Sequence, residues 1–137
     1  MLKITINSFS YKKGLPIDKS GNGGGFVFDC RCLPNPYKFE EYKYFSGEDK
    51  QIDEFFSKRP AVEVFLSSIL NIISIAVNKY IDRDFTNLSI SFGCTGGQHR
   101  SVYLAKLTAE YLSSKYPAVI ELNHLEKNNW ILKPVAE

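Results

Sequence analysis

Between Ser91 and Ser101 the chain reads Ser-Phe-Gly-Cys-Thr-Gly-Gly-Gln-His-Arg-Ser, with a thiol and a guanidinium at the two ends of a loop of small residues. Two chemistries suit that spacing. The first is anion binding. Gly96 and Gly97 lack the Cβ atoms that keep backbone N–H groups from converging on one point. A helix beginning near Ser101 would add the partial positive charge of its N-terminus. Arg100 supplies a planar fork of donors matched to a phosphate. The second is nucleophilic catalysis. Cys94-x5-Arg100 followed by Ser101 matches the loop of cysteine-dependent phosphatases, in which a low-pKa thiolate attacks phosphorus and the arginine clamps two oxygens. Such an enzyme also needs an acid for the leaving group, and Asp29, at the end of a neighbouring strand, is the candidate. His99 lies where it would touch an anion or orient the loop.

The loop needs a strand before it and a helix after it. Leu88, Ile90 and Phe92 alternate as a strand does over residues 88–93. Val102, Leu104, Ala105, Leu107, Ala109 and Leu112 recur at helical spacing, predicting a helix over 101–115. The same reading predicts strands over 2–9, 26–32 and 119–122, and helices over 49–58 and from Pro60 to about Ile81. The second strand is stopped by Pro34 and Pro36. Gly-Asn-Gly-Gly-Gly within 18–25 predicts a mobile loop. The tail over 126–137 has no clear period, and Trp130 is its expected anchor. Strands alternating with helices predict a single α/β domain over 1–137, with a mainly parallel sheet flanked by helices and an anion-binding strand–glycine loop–helix. Ligands of such sheets sit outside the carboxyl ends of the strands. Loops after Phe9, Cys32 and Gly93 would then converge on one pocket, carrying Lys12, Lys13 and Arg31 towards it.

Length and composition bound the rest. The chain has 137 residues, 44% hydrophobic and 23% charged, enough for one real core. A net charge of +2 is too small to argue for nucleic acid by itself. Lys12, Lys13, Arg31, Lys38 and Lys43 nevertheless interleave with Tyr11, Tyr37, Tyr42 and Tyr44, a mixture suited to weak, electrostatic RNA binding through Lys13, Lys38 and Lys43. Three cysteines are present. Cys30 and Cys32 would share a strand face, but no second Cys/His pair of zinc spacing accompanies them. No metal and no cofactor are expected, and the thiols read as free and buried in a reducing cytosol. The apolar stretch 64–81 is interrupted by Ser67, Asn71, Ser74 and Asn78 on one helical face, which predicts a core helix and no membrane span. The first residues alternate like a strand and lack the apolar core of a signal peptide, so the expected location is the cytoplasm.

Four segments together resemble the C-terminal domain of the RapZ (YvcJ) family of RNase adapter proteins. They are Ser8-Phe9-Ser10-Tyr11-Lys12-Lys13-Gly14-Leu15-Pro16, Phe28-Asp29-Cys30-Arg31-Cys32-Leu33-Pro34-Asn35-Pro36, Ser46-Gly47-Glu48-Asp49-Lys50 and Gly93-Cys94-Thr95-Gly96-Gly97-Gln98-His99-Arg100-Ser101-Val102-Tyr103. The resemblance spans nearly the whole chain. It implies a domain similar to a sugar-phosphate-binding subdomain of phosphofructokinase, one that binds glucosamine-6-phosphate and a small regulatory RNA and self-associates. It implies ligand contacts from Lys12, Asp29, Arg31, Cys94, Thr95, Gly96, Gly97, His99 and Arg100; Gln98 and Ser101 complete the candidate loop. The expected partners are a small phosphorylated metabolite and either a small RNA or a protein, with a homo-oligomer also expected. No G-x-x-x-x-G-K-[ST] is present, so the ATP site of the family's other half is not implied. The chain departs from the family at Tyr37, where histidine is usual, and at Leu122-Asn123-His124, where a basic segment precedes Leu-Glu-Lys.

Overall fold

The computed structural model describes residues 1–132. Its elements run β1 (Lys3–Ser10), β2 (Gly25–Asp29), α1 (Lys50–Ser57), α2 (Pro60–Asp82), β3 (Asn87–Cys94), α3 (Arg100–Lys115) and β4 (Val119–His124), with 3-10 turns at Pro36–Lys38 and Lys127–Asn129. The strands form one sheet in the order β2-β3-β1-β4. Every pairing is parallel, as expected from strands separated by helices.

Strand pleating explains where the core sits. Side chains alternate between faces, so Ile4 and Ile6 of β1 align with Leu88, Ile90 and Phe92 of β3 on one buried face. Ile52, Phe55 and Phe56 of α1, Val62, Ile69, Ile73 and Val77 of α2, and Leu104, Ala105 and Leu112 of α3 complete that core. The other face is mostly polar, with Phe9 buried at its C-terminal end. Asn123 Nδ2 donates to Asn7 Oδ1 (3.2 Å) and Asn7 Nδ2 to Ser91 Oγ (3.4 Å). Lys3 pairs with Glu121 at 2.8 Å on the same face. Parallel sheets are ordinarily apolar on both faces; this one is apolar on one.

Four boundaries or environments differ from the sequence reading. β2 ends at Asp29 rather than Cys32. There the Asp29 carboxylate takes the backbone N–H of Arg31 (2.9 Å) and Leu33 N–H bonds to Cys30 O (3.2 Å), closing a turn that ends the strand. Cys30 and Cys32 therefore share no strand face: Cys30 is buried and Cys32 exposed, against the expectation that the thiols are buried. β4 runs on to His124, held by its register with Ser8. α2 is less enclosed than a core helix. It is long and apolar enough to cross a membrane by length and composition, yet only 22% of its most apolar window is buried. Val62, Ile69, Ile73 and Val77 face the core, whereas Val64, Ile72 and Ile75 are exposed beside the polar stripe.

A candidate anion-binding site

The C-terminal ends of all four strands deliver residues to one cavity of about 280 Å³. Lys12 arrives after β1, Asn35 and Tyr37 after β2, Cys94, Thr95, Gly96, Gln98, His99 and Arg100 at the end of β3 and beyond it, and Asn129 and Ile131 after β4. This is the ligand end of a parallel sheet.

The glycine loop is anchored through its carbonyls. Ser10 Oγ donates to Thr95 O (2.6 Å), Trp130 Nε1 to Gly97 O (2.8 Å) and Gly47 N to Gln98 O (2.8 Å). In a trans peptide the N–H points opposite to the C=O of the same unit. Pinning those three carbonyls therefore fixes the N–H groups of Gly96, Gln98 and His99 on the other side. Among the described residues no acceptor takes the backbone N–H of Gly96, Gly97, Gln98 or His99. A run of unpaired amides at the start of a 16-residue helix is electropositive. Gly97 has φ +69°, and a Cβ there would lie 2.8 Å from Glu126 Cγ and 3.1 Å from Ser10 N, so the position admits only glycine.

Arg100 is buried, 6% exposed. Its Nη1 donates to Arg31 O (2.8 Å) and Leu33 O (3.2 Å), and Nη2 approaches Thr95 Oγ1 at 3.5 Å. Its Nε is buried with no partner among the described residues. The guanidinium thus ties the turn after β2 to the start of α3 while keeping one donor unused. His99 is also buried, with Nε2 unpartnered. Burial holds its ring below the usual histidine range, opposed by the carbonyls of Phe45 and Lys43. His124 is likewise held low by burial, with Glu48 opposing; its Nδ1 shares a 2.7 Å hydrogen bond with Ser8 Oγ.

Both histidines consequently fold in the neutral form, and the unfolded chain takes up protons first as pH falls. Stability is then complete above their ordinary value of 6.5 and declines below it. Urea unfolding at about pH 7.5 and about pH 5.5 checks this, with a lower midpoint expected at the acid end. His99→Gln is expected to shrink the difference, and equal midpoints for the natural chain would refute it.

The remaining candidates fall into two groups. Asp29 and Arg31 lie outside the cavity and hold each other: Arg31 Nε and Nη2 reach the Asp29 carboxylate at 2.9 and 2.7 Å. The Arg31 guanidinium also stacks 3.9 Å from the centre of the Tyr11 ring. Hydrogen bonds from Arg31 keep Asp29 below the usual carboxylate range, so it carries no proton to give to a leaving group. Arg31 borders an adjoining groove with Lys38, Asn35, Thr95 and Arg100. Lys43 stands over the rings of Tyr37 (4.9 Å) and Tyr44 (5.5 Å), and Lys13 is exposed in the turn after β1.

Ser101, fully buried, meets Cys94 Sγ at 3.1 Å, and Cys94 itself is 2% exposed. A thiol so enclosed, with Asp29 ionised and holding no proton for a leaving group, is poorly placed for attack on phosphorus. Hydrolysis of an aryl phosphate is expected to stay at background and to be unchanged by Cys94→Ser. Turnover that this substitution abolishes would establish the catalytic reading instead.

Sequence reasoning missed Asn35, Tyr37, Asn129 and Ile131 as cavity walls. Asn35 was visible only as part of Pro-Asn-Pro, and Asn129 and Ile131 lie in the segment without a period. Trp130, the expected anchor, is held through Gly97; residues 133–137 of the tail lie outside the described residues. Among the described residues no cluster of metal-ligating side chains occurs.

Residues 2–128 match the family model described as the RapZ C-terminal domain. A protein of Lactobacillus helveticus called nucleotide-binding protein is 38% identical over 130 residues, which are 95% of this chain and 42% of that protein. Proteins of the same name from Thermotoga neapolitana and Hahella chejuensis are 36% and 37% identical over 92% and 91% of this chain, and 43% and 42% of their own lengths. The chain therefore spans about two fifths of the length of these curated relatives. With a parallel sheet that gathers an amide-rich loop and a buried arginine at its C-terminal edge, and with a family match from Leu2 to Glu126-Lys127-Asn128, the chain belongs to the RapZ C-terminal domain family.

Proposed function

We propose that this domain is a sensor or adapter that binds a small phosphorylated metabolite, an amino-sugar phosphate such as glucosamine-6-phosphate, with the phosphate in the cradle of residues 95–100. The observation that carries the reading is the set of pinned carbonyls at Thr95, Gly97 and Gln98, which leaves a run of amide N–H groups unpaired. The unused Nε of buried Arg100 and the cation of Lys12 at the cavity wall add donors suited to an anion. Asn35, Tyr37 and Asn129 offer polar groups for the hydroxyls of a sugar. The printed name of the relatives fits a phosphorylated ligand, although it belongs to proteins more than twice as long. In this reading the domain works in the cytoplasm and presents its state to a partner. The tyrosine rings beneath Lys43 favour RNA as one such partner.

The test is a titration with inorganic phosphate and with glucosamine-6-phosphate, followed by the amide resonances of residues 94–101. Both are expected to shift them, the sugar phosphate at lower concentration. If neither ligand moves an amide in that stretch, the cradle is not an anion site. A single-stranded RNA added at low salt completes the experiment. Its affinity is expected to fall steeply with salt and with Lys38→Glu and Lys43→Glu.

A further inference from the structure

The loop that carries the amides is also the part of the molecule to which the C-terminal strap, residues 125–131, is fastened. Trp130 Nε1 donates to Gly97 O at 2.8 Å. Gln98 and Ile131 exchange two hydrogen bonds: Ile131 N donates to Gln98 Oε1 (2.9 Å) and Gln98 Nε2 to Ile131 O (3.0 Å). Gln98 Nε2 also donates to Phe45 O (2.9 Å), so one side chain joins the strap to a second loop. Asn129 and Ile131 form part of the cavity wall. The Trp130 ring is braced by His124 (5.8 Å between ring centres) and lies under Lys127 (5.7 Å).

We propose that occupancy of the cradle and docking of this strap are one coupled equilibrium, transmitted through the peptide unit between Gly97 and Gln98, with Trp130 as the positioning residue. The proposal rests on the anion reading above. The carbonyl of that unit is the Trp130 acceptor, and its N–H is one of the amides left for the ligand. The unit is planar, so one orientation serves both bonds. An anion that holds the Gln98 N–H favours the orientation that also holds Trp130. A docked strap in turn keeps the amide aimed and brings Asn129 and Ile131 to the ligand. A ligand shifts such an equilibrium only by its differential affinity, and the effect is reciprocal. The ligand therefore tightens the strap, and a loosened strap weakens the ligand. The strap becomes the element through which a bound metabolite is reported to a partner.

Trp130 is the only tryptophan in the chain, so its emission reports the strap directly. The chain of 137 residues is titrated with inorganic phosphate while three signals are followed: the amides of residues 96–99, Trp130 emission, and hydrogen exchange at the Ile131 amide. Emission is expected to shift along the same saturation curve as the amides, and Ile131 exchange to slow several-fold. Trp130→Phe keeps a ring but removes the N–H donor, and phosphate affinity is expected to fall several-fold, the ordinary worth of one hydrogen bond. Amide shifts unaccompanied by any change in Trp130 emission or Ile131 exchange would overturn the coupling and leave the anion site standing. Amides unmoved by phosphate and by glucosamine-6-phosphate would overturn both. The measurements on the natural chain decide the matter even if the Trp130→Phe protein folds poorly.

Discussion

Arg100→Ala is expected to lower the stability of the domain by about 2–4 kcal/mol and to weaken phosphate binding roughly tenfold to a hundredfold. The two effects have separate causes. Stability falls because Nη1 is the donor to both Arg31 O and Leu33 O, and a buried carbonyl that loses its partner costs its desolvation. Binding falls because the one charged donor built into the loop is gone; the turn that it holds lines the adjoining groove. Arg100→Lys keeps the charge but offers no planar fork, so it is expected to recover only part of either quantity. Urea unfolding and a phosphate titration on the three proteins separate the two effects. Equal unfolding midpoints would mean that the carbonyls of the 31–33 turn do not depend on Arg100. Equal affinities would remove it from the site.

Gly47→Ala is expected to cost about 3 kcal/mol or more and to dismantle the cradle with it. Gly47 lies in the loop that meets the start of α3. A Cβ there would clash with the Tyr103 backbone nitrogen and lie 2.6 Å from His99 O and 2.8 Å from Val102 Cβ. Two of those three atoms are backbone, Tyr103 N of α3 and His99 O that caps it, bonded to each other at 3.0 Å, and cannot swing aside. The only relief is to lift the loop, which breaks the bond from Gly47 N–H to Gln98 O and frees one of the three carbonyls that orient the amides. Gly96→Ala is the control for stability, since nothing lies within 4 Å of a Cβ at that position. Its unfolding midpoint is expected to stay near that of the natural chain, while Gly47→Ala falls far below. Matching midpoints would show that the 46–48 loop yields more easily than its packing suggests.

Parts of this molecule were legible in the sequence because they are periodic. Leu88, Ile90 and Phe92 alternate, and Val102 to Leu112 follow a helical period, so the strand, loop and helix around Cys94 and Arg100 could be placed from residue types alone. The arrival of Lys12 and the Cys94–Arg100 loop at one sheet edge follows from parallel topology. What escaped notice has no period. The end of β2 is decided by the Asp29 carboxylate turning back on Arg31 N–H, a two-residue event. Arg31 itself was read as reaching towards the pocket, and Asp29 captures it. Trp130 was read as the anchor of the tail, but its acceptor Gly97 and the pairing of Ile131 with Gln98, each 33 residues back in the chain, were not. α2 is apolar on nearly all sides, so its pattern could not say which apolar residues face solvent. The segment Ser46-Gly47-Glu48 drew notice only through its family resemblance, and its reason, the close approach to α3, exists only in three dimensions.

The sheet order sets a schedule for the chain during synthesis. β1, the first of these four strands to be made, is a central strand, and its two neighbours come late: Asn7 meets Ser91, 84 positions on, and Ser8 meets His124, 116 positions on. At about 5–20 residues per second, β1 waits roughly 6–25 s for its last partner. Contacts of such long sequence separation also slow refolding of the released chain, because distant closures must precede the contacts that reward them. Until β4 emerges, Ile4 and Ile6 border an unpaired edge, the kind of surface that nascent-chain chaperones cover. A ribosome stalled before Val119 would therefore display a β1–β3 pair with an open flank, and protease cleavage within residues 3–10 would persist until the final strand closes it.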